Sequence, residues 1–208
     1  MRPLLLAAGL LVGLVALPLF HDGAPSVRAS TVVRMDTAAL VDGAELIVDA
    51  RVRSARAIEQ PGRRILTELT LDVGRTWLGE PLQERVVRLP GGVLDDGSGL
   101  LLAGVPIPGP GERCVLFLSA AGADGLRLPV GLAQGCARVH VDAQGHAFAY
   151  TDTSSLALVD PRTGVASEGA RGAPLSYERL AREIERGVKA RAAKAAAKGA
   201  SSKGAEVR

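Results

Sequence analysis

The chain has 208 residues, 47% of them hydrophobic and 23% charged, and between Ser30 and Leu175 it holds about one domain, able to bury a core without metals or many disulfides. Only 3% of the residues are aromatic. The stretch Ser30–Glu185 is acidic, with sixteen arginines, no lysine and twenty carboxylates, which argues against nucleic-acid binding through a basic groove with stacked bases. The pI near 9.2 comes from the two ends.

Met1–Ala29 reads as a secretory signal peptide. Arg2 is the basic start, Leu4–Phe20 an apolar run, and Val27-Arg28-Ala29 a small-residue site before a cut at Ser30. The alternative is a retained anchor, since seventeen apolar residues sit at the lower limit for a span. No cysteine follows the run, which argues against a lipid-anchored form. The expectation is export to a periplasmic, cell-surface or secreted location.

Asp36 is placed to cap a short helix, Thr37–Asp42, which Gly43 would end. Leu46–Ile58 (LIVDARVRSARAI) alternates Val48, Ala50 and Val52 with Asp49, Arg51 and Arg53, which predicts a strand. Gln60-Pro61-Gly62 is a turn, and Ile65–Trp77 alternates again. Glu84–Leu89 is a third strand. Pro90–Pro110 holds six glycines and four prolines, so a long loop is predicted, with an apolar patch at Leu100–Leu102 folding back on the domain.

The stretch Gly104–Val139 contains both cysteines and the most apolar strand candidate, Cys114–Leu118. Cys114 and Cys136 are expected to form one disulfide in an oxidising compartment. If Ser119 pairs with Leu126, Cys114 faces Gly131, so the chain must bend at Gly131 or Gly135, or Cys136 must reach the neighbouring strand. Ala137–Val141 and Ala147–Tyr150 then predict a hairpin around Asp142–Gly145. Ser176 caps a final amphipathic helix whose Tyr177, Leu180, Ala181, Ile184 and Val188 share one face. From about Arg191 the chain is rich in Ala and Lys and reads as a flexible basic tail.

The expected organisation is therefore a signal peptide over 1–29, one β-rich domain over 30–190 and a tail over 191–208. The fold class is mainly β, a small antiparallel OB-like barrel or sandwich with a short N-terminal helix and a C-terminal helix. Ala44–Val52 (AELIVDARV), Ile65–Gly79 (ILTELTLDVGRTWLG) and Arg113–Ser119 (RCVLFLS) resemble three strands of the netrin-like, metalloprotease-inhibitor version of the OB barrel. They also resemble uncharacterised bacterial exported proteins. The resemblance implies a protease-associated module, but the inhibitors chelate zinc through an N-terminal cysteine. Here no cysteine precedes Cys114, so that mechanism does not transfer.

Catalytic patterns are scarce. No G-x-S-x-G elbow or G-K-[ST] phosphate loop occurs. His140, Asp142 and His146 surround one turn and could together hold a metal for a hydrolase, although standard zinc spacings are absent and an exposed polar turn is the simpler reading. Asp95–Gly99 reads as an Asx turn rather than a calcium loop. The expected function is an exported, non-enzymatic binding module that needs no cofactor and meets a protein or cell-envelope component. Contact with membrane is expected only through the signal segment or weakly through the tail, and none with nucleic acid. The expected binding residues are Val93, Leu94, Leu100, Leu101 and Leu102 in the glycine-rich loop.

Overall fold

The computed structural model describes residues 30–205; the expected signal segment lies outside the described residues. Strand β1 (Ser30–Val33) leads into α1 (Thr37–Gly43), where Asp36 accepts a 2.8 Å hydrogen bond from the Ala39 N–H as the N-cap. β2 (Leu46–Gln60) and β3 (Arg64–Leu78) form a long hairpin around Pro61–Arg63, with Gly62 and Arg63 at positive φ. β4 (Glu84–Pro90) follows, and then β5 (Gly92–Val93) and β6 (Gly99–Leu100), a small hairpin inside the segment read as a loop. Next come β7 (Arg113–Leu118), a 3-10 turn at Leu132–Gly135, β8 (Cys136–Val141) and β9 (Ala147–Thr151). β10 (Leu156–Val159), β11 (Ala166–Glu168) and β12 (Leu175–Ser176) precede the long helix α2 (Tyr177–Ala205).

Seven strands make one antiparallel sheet in the order β12-β9-β8-β7-β2-β3-β4. Three register shifts along β2 let its fifteen residues bend. Alternation gives the sheet two apolar faces. Leu46, Val48, Ala50 and Val52 pack with Leu69, Leu71, Val87, Leu89, Leu116 and Leu118 on one. On the other, Ile47, Val115, Phe117 and Val139 lie beneath Leu40 and Val41 of α1 and Leu180 and Ile184 of α2. A second sheet, β1-β10-β11, pairs β1 with β10 in parallel. The fold is thus mainly β with two helices and is sandwich-like.

No continuous ladder closes the large sheet. Residues 126–130 instead tie its β4 edge to β7. Arg127 N–H donates to Arg88 O at 2.9 Å, and on the other side Ser119 N–H donates to Leu128 O at 2.9 Å and Val130 N–H to Phe117 O at 2.8 Å. Leu126 bridges Arg88 in parallel and Pro129 bridges Leu118 in antiparallel.

The disulfide expected between Cys114 and Cys136 is not formed; both thiols are free and buried. After Pro129 the 3-10 turn takes up the slack, so that Cys136 stands opposite Leu116 and Cys114 opposite Arg138. The cysteines are diagonal neighbours on one face. Such pairs lie roughly 7–8 Å apart, beyond the usual reach of a disulfide, about 4.4–6.8 Å between Cα atoms. The hydrogen bond with Cys136, together with burial, pushes the Cys114 thiol far above its ordinary range.

The boundary drawn at Arg191 falls within α2. Arg191 donates through Nη1 to the carbonyls of Val41 (3.0 Å) and Ala44 and through Nη2 to Glu45 Oε1 at 2.7 Å, closing the C-terminal end of α1.

Candidate functional site

The expected binding residues gather at the β5–β6 hairpin. Thr67 Oγ1 donates to Gly91 O at 2.7 Å and Gly91 N–H to Ile65 O at 2.9 Å, which fixes the hairpin's base on β3. Gly92, at φ 145°, passes so close that a Cβ there would stand 2.4 Å from Thr67 Oγ1. The tip is closed by Asp96, whose Oδ1 accepts from Ser98 N–H at 2.9 Å and Ser98 Oγ at 2.6 Å. These bonds hold the Asp96 carboxyl below its ordinary range. Asp96 therefore serves an Asx turn.

On this frame Val93 is 54% exposed and Leu101 80%, with Leu100 and Leu102 close to 40% and Leu94 half-buried. Leu101 does not fold back on the domain as the sequence reading had it. The hairpin's bonds go to β3 at its base, so Leu101 stands on the outside, and the chain returns to the domain only at Gly104, which is buried.

The His140, Asp142, His146 set is not assembled as a metal centre. Asp142 Oδ1 accepts from Gln144 N–H at 2.9 Å and His146 N–H at 2.8 Å, so this carboxylate shapes the turn. His146 Nδ1 lies 3.3 Å from Asp142 Oδ2, while His140 sits two residues earlier on β8, opposite Phe148. Among the described residues no group of three or more His, Cys, Asp or Glu side chains is placed to hold a metal ion.

The main polar cluster that sequence reasoning missed centres on Asp49, 3% exposed. Its two oxygens accept from Arg113 Nε (2.9 Å) and Nη2 (2.6 Å), and Oδ2 also accepts from the Tyr177 hydroxyl at 2.5 Å. The Arg113 guanidinium lies 4.7 Å over the Tyr177 ring. Bonding to Asp49 raises Arg113 above its ordinary value, and burial, then the bond to Asp49, pushes Tyr177 up to about 12. The sequence carried one signal: an acid inside the apolar run LIVDARV, at a position the helices cover. A buried carboxylate whose two oxygens accept three hydrogen bonds from an arginine and a phenol fastens α2 to the sheet.

A cavity of about 530 Å³ lies between the start of α1, strands β8 and β9 and the segment 168–175. Leu40, Phe117, Leu158 and Leu180 form its apolar floor, with Arg34 and Arg171 on its wall. Gln134 at its base is fully used, accepting from Met35 N–H at 2.8 Å and donating to Val33 O and Gly131 O. No protein-family model, no curated protein and no solved structure matches this chain.

Proposed function

We propose that this protein is an exported, non-enzymatic binding module whose contact surface is the β5–β6 hairpin, with another protein or a cell-envelope component as its partner. The observation that carries the reading is Leu101, 80% exposed beside Val93, Leu100 and Leu102 on a hairpin whose base is fixed to β3. Apolar side chains held outward on a braced element are the usual content of a binding surface, because the ordering cost is met before the partner arrives. The leader-like segment before Ser30 supports export. The ties of residues 126–130 to both β4 and β7 support the kinship with OB-like barrels that the three strand motifs suggest.

The test is capture of partners from cell-envelope extracts by the full domain and by Leu101→Asp and Leu102→Asp variants. The unchanged domain should retain a defined partner and both variants should lose it while keeping their melting temperature. Recovery of the same partner by folded variants refutes the hairpin as the surface. Intact-mass measurement decides export processing: a mature N-terminus at or near Ser30 is expected, and a mass that still includes 1–29 refutes cleavage.

A further inference from the structure

The large sheet has a notch between β2 and β8. β7 begins at Arg113, opposite Val139, yet β8 continues through His140 and Val141 without a β7 residue facing them. On the other flank Val52 of β2 pairs with the turn before β7, donating to Glu112 O and accepting from Gly111 N–H, both at 2.8 Å. The space left is a cleft of about 410 Å³ whose lining includes Arg51, Glu112, Arg113, Arg138, His140 and Tyr150. Because the notch interrupts the sheet, side chains from both faces reach it. Arg51 and Arg113, opposed across β2 and β7, come from the helix-covered face, and Arg138, His140 and Tyr150 from the other.

Three guanidinium groups here meet one carboxylate, a balance of +2 with His140 neutral, inside a stretch whose overall charge is negative. Glu112 is already engaged, accepting from Gly109 N–H at 2.8 Å and standing 3.4 Å from Arg138 Nε. Asp49 takes Nε and Nη2 of Arg113 from behind and thereby fixes its fork. Arg51 spends one nitrogen, Nη1, on Gly111 O at 2.7 Å. Among the described residues no partner meets Arg51 Nε or Nη2, Arg113 Nη1, or Nη1 and Nη2 of Arg138. Planar donors converging on one space match an oxyanion with several terminal oxygens.

We propose that this notch binds a phosphomonoester group. Its dianion equals the charge of the lining, and its three terminal oxygens can share the free donors of three arginines, whereas a single carboxylate would occupy one fork and leave the rest unmatched. Tyr150, backed by Arg171 at 4.7 Å from its ring, is the wall for the ester's organic part.

The test is titration of the full chain with inorganic phosphate and with a soluble sugar phosphate at constant ionic strength, followed by calorimetry and by the arginine Nε–H resonances. Saturable one-to-one binding is expected. Arg51→Gln and Arg138→Gln should each weaken it about tenfold, the loss of one charged hydrogen bond. Leu101→Asp should not change it, which separates this site from the hairpin. Vesicles of phosphatidylcholine with and without phosphatidic acid distinguish the source: selective binding to the latter assigns the group to a lipid, and binding to the sugar phosphate alone assigns it to a soluble ligand. If the arginine variants do not fold, His140→Glu, an exposed change that sets a carboxylate in the notch, should abolish binding instead. Absence of saturable binding to every probe, or binding unchanged in the folded variants, overturns the proposal.

Discussion

Removing the Asp49 carboxylate probes the docking of α2 directly. Asp49→Ala leaves Arg113 without its counter-charge and the Tyr177 hydroxyl without its acceptor in a covered site. Breaking a buried pair from one side costs about 3–5 kcal/mol. The Arg113 side chain keeps 29% exposure, so water recovers part of the loss and about 3 kcal/mol is expected. For a chain of this size that lowers the melting temperature by about 6–12 °C. Tyr177→Phe removes one charge-assisted hydrogen bond and leaves the Asp49–Arg113 pair intact, so about 1.5 kcal/mol, or about 3–6 °C, is expected. The double variant should fall short of the sum by about 1 kcal/mol, since the Tyr177–Asp49 bond can be lost only once. Urea titration followed by circular dichroism measures all three. Strict additivity, or an Asp49→Ala loss below about 0.5 kcal/mol, would refute the idea that this cluster fastens the helix.

The same cluster has a pH signature. Burial, then the bond to Asp49, pushes Tyr177 up to about 12 from its ordinary 10.0. The folded state therefore holds the phenol's proton longer than the unfolded chain. Its stabilisation is fully present below pH 10 and is lost as pH rises from about 10 to 12. Tyr177→Phe should flatten that part of the stability profile, and an unchanged alkaline slope would contradict the assignment.

Three further outcomes follow from the packing. Thiol titration without reductant should find two reactive groups in the unfolded protein and none in the native one, because Cys114 and Cys136 are free and at most 1% exposed; no thiols on unfolding would show a bond between them. Gly169→Ala should destabilise by about 3 kcal/mol, since the new methyl would stand 1.9 Å from Thr153 O, whereas Gly109→Ala, with nothing within 4 Å, should be neutral in the same melt. Truncation after Ala190 should cost about 1–2 kcal/mol through loss of the Arg191 bonds to the end of α1, and truncation after Lys194 should restore that stability; equal melting temperatures for the two would show that Arg191 contributes nothing.

Where information was local, the sequence alone determined the result. Period-two alternation placed β2 and β3, the Asp36 and Ser176 side chains marked both helix starts, and Asp142–Gly145 marked the β8–β9 turn. The apolar face of α2 was readable from Leu180, Ala181 and Ile184, all buried. The short strands β1, β10, β11 and β12 carried too few residues to show a period, and they exist because partners far along the chain complete their hydrogen bonds. Register was equally non-local. The chain through the 3-10 turn set Cys136 opposite Leu116, two places from Cys114, and turned an expected bridge into a diagonal pair of thiols. The Asp49 cluster joins residues 64 and 128 positions apart, and the notch exists only because β7 starts later than its neighbours extend. Such distances are closed by the burial of the whole sheet, so no window of sequence holds them; only the tertiary structure decided which arginines would share a cleft and which acid would be buried beneath a helix.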